Sequence, residues 1–171
     1  MVSLVIGGAA SGKSAFAEDL ILAAPSRPLV YAATMEPWGE EAQKRIARHR
    51  ALRAGKGFVT FEAPRAANLL EIPEGGAVLL ECLTTLTANE CFSVGFDGAE
   101  ERLLAGVEAL LRRCGDAVLV SGDLFADGYT YPPETERYLS VLAAVNGELA
   151  ARADRVIEVC CSIPIFHKGE A

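Results

Sequence analysis

The sequence predicts an α/β fold with a mostly parallel central sheet and helices on both of its faces. Short apolar runs rich in β-branched residues recur along the chain, and they have the length of buried strands. Segments with apolar residues at three- and four-residue spacing separate several of these runs, which is the pattern of amphipathic helices. Strands that alternate with helices form parallel sheets, because a parallel connection needs a crossover long enough for a helix.

Five strands and four helices account for this pattern. The strands are predicted at Val2–Ile6, Leu29–Ala33, Val78–Leu80, Val118–Val120 and Val156–Val159. The helices are predicted at Lys13–Ala23, Glu40–Ala54, Glu100–Arg113 and Glu134–Ala153. We therefore expect a single domain over residues 1–171, with ligands at the carboxyl ends of the strands.

The composition favours small-molecule chemistry. The 171 residues are 51% hydrophobic, and they carry 16 basic against 23 acidic side chains, for a net charge of −7. This balance disfavours nucleic acid or an anionic membrane surface as the main partner. No apolar run is long enough to span a bilayer, and the first run has only the length of a strand. We therefore expect a cytoplasmic protein without a secretory leader.

The first predicted strand runs directly into a phosphate-binding loop. Its residues fit the pattern G-x-x-x-x-G-K-[ST] at each fixed position: Gly7, Gly8, Ala9, Ala10, Ser11, Gly12, Lys13 and Ser14. Small residues let successive backbone N–H groups point at one phosphate, and the following helix adds its positive N-terminal end. Lys13 is placed to reach the β- and γ-phosphates, and Ser14 to hold Mg²⁺. We therefore predict a P-loop NTPase-like fold and a nucleotide-binding enzyme.

A carboxylate for the metal follows one of two predicted strands. Glu81 comes directly after the run Val78–Leu80, in the position of a Walker B acid, and Asp123 comes soon after Val118–Val120. Either carboxylate would help to neutralise the transferring phosphate through Mg²⁺. The sequence does not rank the two.

A cationic stripe with one imidazole lies in the second predicted helix. The four-residue spacing of Arg45, His49 and Arg53 places them on one helical face. Such a stripe is often only a solvated basic surface. Beside a nucleotide, however, the two guanidinium groups would disfavour protonation of the imidazole and neutralise phosphate oxygens, which suits a histidine nucleophile. His167 has no such neighbours and is expected at the surface.

The cysteines are expected to be reduced core residues. They are Cys82, Cys91, Cys114, Cys160 and Cys161, an odd number without C-x-x-C spacing. Most of them lie in apolar strand-like or helical contexts, and their spacing does not indicate a metal site.

Four stretches of the chain, in the right order, resemble a known family. They are the phosphate loop, Tyr31-Ala32-Ala33-Thr34, the pattern R-I-x-x-H-x-x-x-R at Arg45–Arg53 with Thr60-Phe61-Glu62 after it, and Leu79-Leu80-Glu81-Cys82-Leu83-Thr84-Thr85-Leu86-Thr87-Ala88-Asn89. On these motifs the chain resembles the bifunctional adenosylcobinamide kinase/adenosylcobinamide-phosphate guanylyltransferases of cobalamin biosynthesis. The third and fourth stretches are the specific ones, since phosphate loops occur in many enzymes.

The resemblance implies two reactions. Adenosylcobinamide is phosphorylated with ATP or GTP, and His49 then accepts GMP from GTP and passes it to the substrate phosphate, giving adenosylcobinamide-GDP. His49 is then catalytic. With the roles that the motifs give to the other residues, the candidate catalytic residues are Lys13 and His49, and the candidate Mg²⁺ ligands are Ser14 and Glu81. The implied nucleotide contacts are the phosphate loop together with Thr34, Met35, Glu36, Arg50, Ala51, Leu52, Arg53, Glu62 and Glu81. The resemblance also implies a homotrimer in which the histidine helix helps to form an intersubunit site.

The second half of the chain departs from the family pattern. Gly122-Asp123 stands where the family has an Asn-Glu pair, and the later arginine-rich segment is reduced to Arg137-Tyr138-Leu139-Ser140 and Asn146. Two alternatives therefore stay open. One is a small-molecule kinase without guanylyl transfer, in which His49 only contacts phosphate. The other is a catalytically reduced GTP-binding regulatory subunit.

Overall fold

The computed structural model describes residues 1–37, 39–125 and 128–170. The strands are β1 (Val2–Gly7), β2 (Leu29–Ala33), β3 (Phe58–Glu62), β4 (Ala77–Glu81), β5 (Asp116–Gly122), β6 (Arg155–Cys160) and β7 (Ile163–Lys168). The α-helices are α1 (Lys13–Ala23), α2 (Gly39–Arg53), α3 (Leu83–Asn89), α4 (Ala99–Arg113) and α5 (Pro133–Arg152). A 3₁₀-helix at Ala66–Glu71 and a π-helical segment at Glu90–Val94 complete the described elements.

One sheet organises the described part of the chain. Its seven strands lie in the order β3-β2-β4-β5-β1-β6-β7. Neighbouring strands are parallel throughout, except that β6 and β7 form an antiparallel hairpin. In the centre, Val5 of β1 is in register with Val120 of β5 and with Ile157 of β6. The predicted mostly parallel sheet is confirmed.

Helices cover both faces of this sheet, as predicted. On one face, α1 packs its buried residues Ala17 and Ile21 against Val5, Leu79 and other buried strand residues. On the opposite face, α3, α4 and α5 pack against the alternate strand positions, among them Leu4 and Leu80. Because successive strand side chains point to opposite faces, buried strands supply both layers of the core. No helix in the described ranges is long and apolar enough to cross a membrane.

The predicted elements are present, but two strands and a helix were missed. Each predicted helix agrees with an observed one to within a single residue at either end, and each predicted strand lies inside an observed one. The prediction of five strands is wrong, because β3 and β7 are also part of the sheet. These two are edge strands and largely exposed, so they lack the apolar run that marks a buried strand. Helix α3 has only 7 residues, which is too short for a clear helical period.

The cysteine prediction holds only in part. Cys91 is buried, and Cys82 and Cys114 are half-buried, with all five thiols free. Cys160 and Cys161 are exposed, so the expectation of core residues is wrong for this pair. They lie where β6 ends and the chain turns into β7, beyond the apolar part of the strand.

His167 is exposed, as predicted. Its side chain is 54% exposed, and Nε2 lies 2.8 Å from the Glu158 Oε2 atom on the neighbouring strand. It thus has a carboxylate partner, which the sequence did not indicate.

Candidate functional site

The phosphate loop joins β1 to α1, where the sequence places it. The Lys13 ammonium folds back over the loop and donates a hydrogen bond to the Gly8 carbonyl oxygen at 2.9 Å. Ala10 and Gly12 have φ angles of 57° and 93°, in the left-handed region. These two residues curl the loop tightly before α1 begins, so the free N–H groups at the start of the helix lie at the loop.

Two glycines of the loop are required by close packing against β6 and the residues that follow it. A Cβ atom at Gly7 would lie 2.6 Å from the Val159 carbonyl oxygen, and one at Gly12 would lie 2.6 Å from the Ser162 Oγ atom. The Ser162 N–H also donates a hydrogen bond to the Ser11 carbonyl oxygen at 2.8 Å. The loop is therefore held from one side by the β6–β7 turn.

A cavity of about 230 Å³ opens next to the loop, at the carboxyl ends of the strands. It contains several side chains that the sequence proposes for nucleotide or metal binding: Lys13, Ser14, Thr34, Met35, Arg53, Glu62 and Glu81. The carboxyl ends of three strands, β2, β3 and β4, and the helices α1 and α2 supply these residues. This agrees with the rule that ligands of parallel α/β sheets bind beyond the carboxyl ends of the strands.

Glu81 is the centre of a polar cluster in this cavity. Its Oε2 atom accepts a hydrogen bond from the Tyr31 hydroxyl at 3.1 Å and lies 3.5 Å from the Arg53 Nη1 atom. The Arg53 guanidinium lies over the Tyr31 ring, 3.3 Å from its centroid. Burial, followed by the negative charge of Glu81, raises the pKa of the Tyr31 phenol far above its usual value. The phenol therefore stays a neutral donor to Glu81 at physiological pH.

Thr34 ties the ends of β2 and β4 together. Its Oγ1 atom lies 3.0 Å from the Glu81 carbonyl oxygen and accepts a hydrogen bond from the Cys82 N–H at 2.8 Å. The Asn89 side-chain amide donates a hydrogen bond to the Thr34 carbonyl oxygen at 2.8 Å and another to Pro64 at 2.9 Å. Thr34 is fully buried. Its position in the cavity wall is thus fixed by backbone contacts on two sides.

Of the two carboxylates left open by the sequence, Glu81 lies in the cavity with Ser14. Asp123 is not among the cavity residues; its N–H donates to the Gly7 carbonyl oxygen at 3.0 Å, and its side chain is exposed beside the loop. Magnesium prefers oxygen ligands and usually takes only one or two carboxylates together with substrate phosphates. The Ser14 hydroxyl and the Glu81 carboxylate are donors of this type. Among the residues described, no group of three or more His, Cys, Asp or Glu could hold a metal ion.

Several predicted contacts are not brought to the cavity or lie outside the described residues. Glu36 forms an ion pair with Arg65 at 2.8 Å, and Ala51 is exposed on α2. The backbone of α2 is described over Gly39–Arg53, but the side chains of Arg45, His49, Arg50 and Leu52 lie outside the described residues.

Sequence reasoning missed part of the cavity wall. The further lining residues are Tyr31, Ala33, Ile46, Thr60, Cys82, Thr85 and Val120. Most lie in or directly after a strand of the sheet, and Thr60 is in register with Tyr31 on the neighbouring strand. Thr60 was missed because the sequence did not predict β3, and it is this strand that brings Thr60 to the edge of the cavity.

Comparison with known proteins gives this site its context. The family model described as cobinamide kinase/cobinamide phosphate guanyltransferase matches residues 3–166. The chain belongs to this family. It is accordingly a nucleotide-binding enzyme of cobalamin biosynthesis with kinase and guanylyltransferase activities, which confirms the resemblance drawn from the motifs.

Curated members of the cobinamide kinase/guanyltransferase family match the chain from end to end. The bifunctional adenosylcobalamin biosynthesis protein CobP of Pseudomonas aeruginosa is 34% identical over 99% of this chain and 99% of its own length. The CobU protein of Salmonella typhimurium is 33% identical, and that of Escherichia coli K12 is 31% identical, each over 98% of this chain and 100% of its own length.

Solved structures with the same fold are much more distant in sequence. The flagellar accessory protein FlaH from Methanocaldococcus jannaschii matches with a TM-score of 0.51 at 11% identity, over 99% of this chain and 78% of that one. A KaiC-like protein from Pyrococcus horikoshii matches with a TM-score of 0.51 at 14% identity, over 92% of this chain and 71% of that one. These likenesses concern the fold alone.

Proposed function

We propose that this enzyme phosphorylates adenosylcobinamide and then transfers GMP from GTP to the product through a guanylylated His49, giving adenosylcobinamide-GDP. The observation that carries the proposal is the composition of one cavity. It joins the loop lysine and serine to Glu81, and helix α2 contributes Ile46 and Arg53 to the same wall. A phosphate-transfer site and the histidine helix therefore meet in one place.

The phosphorylation step depends on positioning and electrostatics. The loop N–H groups and Lys13 bind the phosphates of ATP or GTP, and Lys13 stabilises the negative charge that spreads over the transferring phosphoryl oxygens. The Ser14 hydroxyl and the Glu81 carboxylate would hold Mg²⁺, which supplies additional neutralisation of phosphate charge when bound. Thr34, Met35, Glu36 and Glu62 are proposed as further nucleotide contacts.

The guanylyl transfer needs a protein nucleophile, and the spacing along α2 favours His49. His49 is three residues after Ile46 and four before Arg53, and residues at these spacings share a helical face. Ile46 and Arg53 both line the cavity. An imidazole nitrogen would attack the α-phosphorus of GTP, forming a nitrogen–phosphorus bond while pyrophosphate leaves. An oxygen of the substrate phosphate would then attack the same phosphorus and release the imidazole.

The other parts of the proposal extend beyond the cavity. Arg50, Ala51 and Leu52 precede Arg53 on α2 and are proposed to contact the guanine nucleotide. We also propose that the enzyme is cytoplasmic and acts as a homotrimer, in which α2 would complete a site with a neighbouring subunit. Light scattering of the purified protein tests the trimer directly.

The deciding experiment is covalent labelling with GTP and Mg²⁺. We expect the intact protein to gain the mass of one GMP through a bond that is labile to acid and stable to base, as a phosphoramidate is. His49→Ala should abolish the label and guanylyl transfer while retaining much of the cobinamide phosphorylation, because that step uses no protein nucleophile. His167→Ala is the matched control, because the exposed His167 lies outside the cavity.

The same experiment separates the alternatives. Equal labelling of wild type and His49→Ala would rule out His49 as the carrier of GMP. Phosphorylation of cobinamide without any labelled protein would indicate a kinase that lacks guanylyl transfer. Binding of GTP without turnover of cobinamide would indicate the regulatory subunit.

A further inference from the structure

The turn between β6 and β7 carries two consecutive exposed cysteines. Cys160 is the last residue of β6 and is in register with Ile163, the first residue of β7. Cys161 and Ser162 form the connection between them. Both thiols are free and exposed. The proposed phosphorylation and guanylylation steps do not use either of them.

The backbone of this turn is strained. Cys161 and Ser162 have φ angles of 51° and 65°. Two-residue hairpin connections with positive φ at both positions favour Asn-Gly or Asp-Gly, because these residues tolerate the left-handed region. Cysteine and serine do not share that tolerance. Strained non-glycine residues persist where the surrounding structure holds them, and they concentrate at functional sites.

The surrounding structure here is the phosphate loop. The Ser162 N–H donates a hydrogen bond to the Ser11 carbonyl oxygen at 2.8 Å. A Cβ atom at Gly12 would lie 2.6 Å from the Ser162 Oγ atom, so turn and loop are in direct contact. We therefore expect a change in the backbone at Cys161 and Ser162 to move the adjoining loop residues Ser11 and Gly12.

The two thiols are better suited to share a bridging atom than to bond to each other. Consecutive Cα atoms across a trans peptide are about 3.8 Å apart. A disulfide usually requires a separation of roughly 4.4–6.8 Å. A direct bond would need movement of a turn that is held against the loop.

The residues described around the pair limit what it can bind. In the described part of the chain, no cluster of three or more His, Cys, Asp or Glu could hold a metal ion, so a four-coordinate zinc site does not fit. A monosubstituted trivalent arsenical needs only two thiols. We propose that Cys160 and Cys161 form a dithiol site for trivalent arsenicals, and that its occupation weakens nucleotide binding at the adjoining phosphate loop.

The reaction balances without an oxidant or reductant. An arsenoxide reacts with both thiols to form two arsenic–sulfur bonds, while its arsenic–oxygen bond breaks. The two thiol protons leave with that oxygen as water, and arsenic remains trivalent.

Intact-protein mass after treatment with phenylarsine oxide tests the site. We expect one adduct, equal to the reagent less one water, that survives excess monothiol and is removed by a dithiol. Cys160→Ser and Cys161→Ser should each lose the monothiol-resistant adduct. Cys114→Ser is the matched control, because this half-buried thiol is at the end of α4, and it should retain the adduct. An adduct that survives excess monothiol in both turn variants would overturn the proposal.

Binding of GTP in the presence of Mg²⁺ tests the coupling to the loop. The adduct should lower the affinity of wild type for GTP by about tenfold, and by linkage GTP should weaken arsenical binding by the same factor. The double variant Cys160→Ser/Cys161→Ser, treated in the same way, should keep its affinity. Unchanged affinity in the wild-type adduct would overturn the coupling. Neither measurement involves cobinamide or His49, so the outcome is independent of the proposed guanylyl transfer.

Discussion

Two buried carboxylates in this protein, each paired with an arginine, differ in how completely their hydrogen bonds are satisfied. Glu90 is 4% exposed and accepts hydrogen bonds from Arg102 at 2.9 Å and from the Ala66 N–H at 2.9 Å. Arg102 also donates to the carbonyl oxygens of Gly95 and Asp97, each at 2.7 Å. Glu81 is 11% exposed, but its contact with Arg53 is 3.5 Å long and faces the cavity.

We therefore interpret the Glu90–Arg102 pair as structural and the Glu81–Arg53 pair as part of the proposed nucleotide and metal site. Around Glu90, short contacts hold the π-helical segment, the 3₁₀-helix and the start of α4 together. Around Glu81, a long contact beside open space leaves the carboxylate and the guanidinium able to bind a ligand. Buried ion pairs by themselves are weak evidence of stabilisation, because desolvation offsets their attraction. The geometry of the partners and the adjoining space is more informative.

The largest effect expected from this comparison is on catalysis by Glu81. Glu81→Gln keeps the shape of the side chain and removes the charge proposed to bind Mg²⁺, so kcat for cobinamide phosphorylation should fall by about 10²-fold or more. Glu90→Gln is the matched control and should retain most of the rate at a temperature where it is folded. Equal losses of rate in the two variants would mean that the pairs do not differ in function.

The structural pair should dominate stability. Arg102→Ala removes the guanidinium from the buried Glu90 carboxylate, which keeps only its hydrogen bond from Ala66, and should lower the free energy of unfolding by about 2 kcal/mol in urea titrations. Arg112→Ala is a matched control on the same helix, since Arg112 is 69% exposed and lies 3.7 Å from Glu108. Its removal should change the stability by less than about 1 kcal/mol. A similar loss in the two variants would contradict the structural role of Arg102.

The planar shape of the Arg53 guanidinium provides a third test. Lysine retains the positive charge but cannot stack flat over the Tyr31 ring while facing Glu81. We expect Arg53→Lys to lower kcat/KM for GTP by about tenfold and to change the stability by less than about 1 kcal/mol, as measured by steady-state kinetics and urea titration. Wild-type kinetics in this variant would show that charge alone is sufficient.

The smallest effect concerns the Tyr31 hydroxyl. Tyr31→Phe removes one hydrogen bond to Glu81 and should cost about 1 kcal/mol of stability at pH 8. Because the folded-state pKa of Tyr31 is raised, its contribution is complete below the unfolded value of about 10 and declines as the pH rises above it. Between pH 9 and pH 11 the urea midpoint of unfolding should therefore decrease more in wild type than in Tyr31→Phe. Equal decreases in the two proteins would contradict this assignment.

The buried half of the fold was predictable from sequence, and the exposed half was not. The runs around Val5, Leu79 and Val120 are apolar because helices cover both faces of the sheet there. Such continuous apolar runs are recognisable as buried strands in the sequence. Strand β7 contains Pro164, and its side chains are mostly exposed. An edge strand tolerates both features, but in the sequence they are typical of a loop. Its hairpin nevertheless supports the phosphate loop through Ser162, a contact that no local pattern encodes.

In the candidate site, too, the sequence identifies some residues, and only the structure shows the others. A fixed motif identifies Lys13 and Ser14, because phosphate binding demands a particular local backbone. The stacking of Arg53 on Tyr31 joins residues from α2 and β2, and it depends on where the helix lies over the sheet. Glu81 was recognised as a candidate from the sequence. Only the positions of the two strand ends show that Glu81, and not Asp123, lines the cavity.

The anchoring of Thr34 also has a consequence for altering the nucleotide specificity of this enzyme. Its hydroxyl oxygen contacts the backbone at Glu81 and Cys82, and valine would match its shape while leaving those groups unsatisfied. Ile46 and Thr60 line the same cavity and face it from α2 and β3. If nucleotide specificity is to be altered at the proposed site, a mutant library would therefore vary these two lining positions and keep Thr34 unchanged, so that the cavity changes while the link between β2 and β4 is retained.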